Sequence, residues 1–116
     1  MASNTRTFIL DFITTDFNRD SNIAITLLLH YKNACGYKSD EDVFALEDAV
    51  SSAGWIFSKL FIAGQFIERL YDSNAGEIDQ AKGKKFSDKF VSWLLSKLKA
   101  QGCGAQIKLS TAMKDM

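Results

Sequence analysis

Apolar residues recur at three- and four-residue spacing along most of the chain, the period of an amphipathic helix. Phe8, Ile9, Phe12, Ile13 and Phe17 form the first such stripe, behind a Ser3, Asn4, Thr5 cluster placed to cap it. The polar run 18–22 separates it from a second helix, expected from Ile23 to about Ala34, with Gly36 as a left-handed stop. Its apolar residues Ile23, Ile25, Leu27, Leu28, Leu29 and Tyr31 leave little polar face, which predicts the most enclosed helix of the fold.

Ser39 followed by Asp40, Glu41 and Asp42 has the composition of a helix start, with acids where the helix dipole favours them. From there Val43, Leu46, Val50, Ala53, Phe57, Leu60, Gly64, Ile67 and Tyr71 keep a 3-4-3-4 spacing, a heptad seam of four repeats. An unbroken helix over 40–72 would be roughly 50 Å long. Ser51, Ser52 and Gly54 mark a kink within it. A loop over 72–76 and a fourth helix ending near Gln101, with Gly102 as its stop, complete the pattern. The tail 103–116, carrying Ile107, Leu109 and Met113, is expected to dock as a short turn of helix. The pattern therefore predicts an all-α fold, a compact bundle of four to five helices around a long third helix, in a single domain over 1–116.

Composition agrees with that expectation. Proline is absent, where average usage would give about six, and proline is excluded from helix interiors. Cys35 and Cys103 match no metal-ligand spacing and are expected as two free thiols in a reducing compartment. No apolar run approaches the length of a membrane span. The N-terminus lacks a signal-peptide core, and a soluble cytoplasmic protein is the plain expectation.

Catalytic and metal signatures are incomplete. Asp16, Asn18 and Asp20 sit at positions 1, 3 and 5 of a calcium loop, but Ser21 and Leu27 occupy the positions that need glycine and glutamate. A capping turn is the better reading. His30 is the only histidine, and Cys35 lies about 140° round the same helix from it. The acid pairs Asp16/Asp20 and Glu68/Asp72 have no accompanying Glu-x-x-His. A non-catalytic protein without metal or cofactor is expected.

Charge supplies the one functional lead. Residues 1–81 carry six Lys/Arg against twelve acids, whereas residues 82–116 carry eight lysines against Asp88 and Asp115. A net charge of zero thus conceals a basic end suited to a polyanion. On a helix over 82–101, Lys82, Lys85, Lys89, Ser92, Ser96 and Lys99 share one face, a combination that contacts phosphate oxygens without reading bases. The expected function is a small helical subunit of a ribonucleoprotein-type assembly that binds nucleic-acid backbone through this face. Its partners would be other protein subunits, a second copy of itself, or an acidic protein surface. Trp55 and Trp93 are the candidate partner-interface residues. The alternative is a protein-interaction module, an inhibitor or oligomerising scaffold, acting through the apolar heptad seam.

Overall fold

A computed structural model describes residues 6–110; the Ser3, Asn4, Thr5 cap and Met113 lie outside them. It overturns the all-α expectation. Among the described residues the chain forms three helices and a five-stranded antiparallel sheet, in the order β1 Phe8–Thr14, α1 Phe17–Ala34, β2 Phe44–Leu46, β3 Val50–Ser52, β4 Trp55–Ile62, α2 Gly64–Asp79, α3 Phe86–Ala100 and β5 Gln106–Leu109.

The first predicted helix is a strand. Its apolar residues satisfy period two as well as period 3.6: Phe8, Leu10, Phe12 and Thr14 are buried while Ile9, Asp11 and Ile13 face the other side. The predicted long third helix is dismantled in the same way. Its seam residues are dealt to opposite faces of a sheet, with Leu60 buried and Phe57 and Val50 exposed. Ala53 (φ 53°) and Gly54 (φ 83°) form a two-residue hairpin between β3 and β4, as a turn with two left-handed residues requires. Only the end of the seam is helical, as Gly64, Ile67 and Tyr71 on α2.

β2 and β3 are two halves of one strand lying along β4. From the pair Leu46↔Leu60 to the pair Val50↔Phe57, one side advances four residues and the other three, the signature of a bulge. The bulge is pinned by Glu47 N–H donating to the Lys59 carbonyl at 2.9 Å and by Ser58 Oγ donating to the Glu47 carbonyl at 2.6 Å. With this strand counted once, the sheet order β5-β1-β4-β2 and the helical crossovers give a split β-α-β-β-α-β arrangement.

All three helices pack on one face of the sheet. Phe8 meets Phe90 edge-on at 5.6 Å, Phe12 meets Phe17 at 6.3 Å, and Phe44 and Tyr37 meet Phe66 at 6.3 and 5.7 Å. Leu10, Phe12, Ile62, Phe66, Phe90 and Leu94 are fully enclosed there. α2 breaks direction at Asn74 (φ −133°), whose side-chain amide donates to the Leu70 carbonyl at 2.9 Å. That break falls inside the loop predicted over 72–76. Over its described residues, 103–110, the tail is not helical: β5 pairs with β1, Phe12 opposite Ile107 and Asp11 opposite Lys108. No helix among the described residues is long and apolar enough to cross a membrane.

Candidate nucleic-acid interface

The lysines divide according to where α3 begins. The helix starts at Phe86 with Lys85 as its N-cap, so Lys82, Lys84 and Lys85 belong to the connection before it rather than to its face. Gly83 folds that connection back on the first turn. Its φ is +135°, and an added Cβ would fall 2.5 Å from Asp88 Cβ and 3.0 Å from the Lys89 backbone nitrogen. Only glycine combines this conformation with so close an approach. Lys82 consequently lines a cleft with Asp88, Val91, Ser92 and Lys108, between α3 and the edge strand β5.

The connection sets Lys84 and Lys85 directly before the first turn of α3, which carries Lys89, and sets Lys82 in the hollows beside Ser92 and Ser96. Lys99 is not at this end of the helix. Lys99 lies fourteen residues past the cap, about 21 Å along the axis. Ser92 lies between the β5 cleft and a second hollow that Ser96 shares with Lys82, Glu77 and Lys97. Ser96 already donates its hydroxyl proton to the Trp93 carbonyl at 2.6 Å.

Pairing separates the lysines further. Lys97 is held by Glu77 at 2.6 Å; hydrogen bonds from Lys97 and then Trp93 keep the Glu77 carboxyl below its ordinary range. Lys59 is paired with Asp11 on the sheet. Lys82, Lys84, Lys85 and Lys89 form no ion pair among the described residues, and Asp88, exposed in the first turn, is the acid among them.

The two tryptophans part company. Trp93 is 3 % exposed, packs on Tyr31 and Phe90, and donates its indole N–H to Glu77 at 3.2 Å. It is a core residue with no surface to offer a partner. Trp55 is 44 % exposed at the hairpin end of β4.

Elsewhere, the Asp16/Asp20 spacing resolves into a capping turn between a strand and a helix. Asp16 accepts from Arg19 N–H at 3.2 Å as the N-cap of α1. Asp20 is fully buried and accepts from Thr14 Oγ1, from Arg19 Nε at 3.0 Å and from Gly104 N–H at 2.9 Å. Burial alone would push this carboxyl up, but those hydrogen bonds and the Arg19 charge outweigh it and hold it below its ordinary value. His30 is exposed on α1 beside the Tyr31 ring and lines a shallow groove with Ile23, Thr26, Leu27 and Gln101. Burial pushes both thiols up, which disfavours the thiolate. Cys35 follows the last turn of α1, whereas Cys103 touches Asp20 in its first. Fifteen residues of helix, about 22 Å, keep them too far apart for a disulfide.

The lysine shoulder before α3 was within reach of sequence reasoning through Gly83, which breaks the helix that an uninterrupted wheel over 82–101 assumes. No protein-family model, curated protein or solved structure matches this chain.

Proposed function

We propose that this protein is a non-catalytic subunit that binds the sugar-phosphate backbone of nucleic acid, without reading its sequence, at the N-terminal shoulder of α3. One observation carries the reading: α3 has a lysine at its N-cap, no side-chain cap, and three more lysines within four positions of that cap in the chain. A helix N-terminus carries a partial positive charge and free N–H donors, so cations there are locally unfavourable. α1, by contrast, is capped by Asp16, and α2, which also lacks a side-chain cap, carries no basic residue in its first turn. Four unpaired lysines at the wrong end of an uncapped helix make sense as an anion site, because phosphate would satisfy the donors and the charges together. A reducing, cytoplasmic setting suits the two free thiols.

Fluorescence anisotropy with labelled single-stranded RNA and duplex DNA tests this. Four contacts with a single strand should weaken binding about fifty-fold between about 50 and 200 mM salt. Lys82→Ala/Lys84→Ala/Lys85→Ala/Lys89→Ala should abolish binding, while Lys99→Ala should leave it nearly unchanged. Salt-independent binding, an unaffected quadruple variant, or no binding by the wild type at low salt would overturn the proposal.

A further inference from the structure

The face of the sheet opposite the helices is covered by no element among the described residues. Register places Ile13, Phe57 and Val50 side by side across β1, β4 and β3, with Phe61 and Trp55 further along β4. Val50 is 66 % exposed and Phe57 42 %. A soluble sheet ordinarily turns polar residues to such a face, and a contiguous apolar patch of this kind marks an interaction surface.

The charges on this face choose its occupant. Asp11 and Lys59 pair at the centre and neutralise each other. Glu47 and Asp48, on the bulge, stand at one side of the hollow over Phe57, and Lys108 of β5 stands at the other. The two sides are three strand spacings apart, about 14 Å. Three acids against two lysines make the face a poor platform for nucleic acid, in contrast to the shoulder of α3. The pattern is instead self-complementary. A two-fold axis parallel to the strands lays Lys108 of one copy over Glu47 and Asp48 of the other, twice, with the apolar residues between.

We propose that this face is the interface of a homodimer in which two sheets stack about a dyad parallel to their strands. Apolar burial supplies the affinity and the outer charges fix which dyad is used.

Sedimentation equilibrium at about 100 µM, a concentration that populates even micromolar dimers, should give twice the 12.9 kDa of the chain. Phe57→Glu alters an exposed position, so circular dichroism should stay native while the mass falls to that of a monomer. Lys108→Glu alone, and Glu47→Lys/Asp48→Lys alone, should each weaken self-association about ten-fold or more at low salt, since both create facing like charges. Mixing the two variants should restore the dimer as a heterodimer. A monomeric wild type, as would result if another segment or partner owned this face, overturns the proposal. So does a dimer that survives Phe57→Glu, or charge variants that fail to complement each other. None of these readouts involves nucleic acid.

Discussion

Asp20 shows how much of the fold can rest on one side chain that the sequence presents as an ordinary helix acid. It joins the end of β1 through Thr14, the first turn of α1 through Arg19, and the connection into β5 through Gly104. Replacing it with asparagine keeps the shape but sets an amide against donors arranged for a carboxylate. Loss of charge-assisted hydrogen bonds to a buried group costs about 2–3 kcal/mol. Asp20→Asn should therefore lower the urea midpoint clearly at neutral pH. The sign of the pH effect follows from the depressed carboxyl: its stabilisation is complete above the unfolded value of about 3.9 and disappears as pH falls below it through the folded value. The gap between wild type and Asp20→Asn should accordingly be widest near neutrality and shrink in acid. An equal gap at both ends of the range would mean that Asp20 acts by shape alone.

At the scale of elements, α3 sets a local rule against a use. Lys85 has the extended conformation of an N-cap (φ −97°, ψ 159°) but a side chain that cannot accept a hydrogen bond from the helix. Lys85→Asp would supply that acceptor and suit the dipole, raising stability by about 1 kcal/mol. On the proposed function the same change should weaken nucleic-acid binding, because it places a carboxylate where the proposed site takes phosphate. Thermal melts and anisotropy on one variant thus read opposite signs; a variant that gains stability without losing affinity would separate the cap from the site. The same elements show what the sequence made legible. α1 was readable from Ile23 to Ala34 with left-handed Gly36 as its stop. The polar run 18–22, however, lies inside the helix, which Asp16 caps, and Ile25 and Leu29, expected to be enclosed, are exposed. The break in α2 was readable from Asn74 and its polar neighbours. Strands β1 and β4 were not, since Phe8 to Ile13 and Trp55 to Ile62 are nearly continuous apolar runs that fit either period. What decided them was pairing with residues about fifty positions away, such as Ile9↔Phe61 and Asp11↔Lys59, which no local window contains. The basic cluster was legible as charge, and its geometry only once Gly83 is read as a break: an uninterrupted wheel unites Lys99 with Lys82, and the turn at Gly83 separates them.

For the whole molecule, the proposed dimer and the proposed phosphate site on the lysine shoulder have a joint consequence. Phe86 packs on Phe8 at 6.3 Å, so the shoulder lies at the end of the molecule where β1 begins. A dyad parallel to the strands keeps that end common to both copies, with each helical layer facing outward. Two sheets about 10 Å apart, each backed by a helical layer at a similar distance, put the two shoulders roughly 30 Å from one another. A short oligonucleotide reaches one shoulder, whereas a strand of about twenty nucleotides spans both. The second contact is then intramolecular and should raise affinity well beyond a statistical factor of two, by about a hundred-fold where the geometry fits. That gain should vanish in Phe57→Glu, which leaves each shoulder intact but separates the copies, while affinity for the short oligonucleotide stays unchanged. Anisotropy titrations of both lengths against both proteins give four numbers. A length effect that persists in the monomeric variant would assign it to added contacts along one chain, and would remove the coupling between the two surfaces.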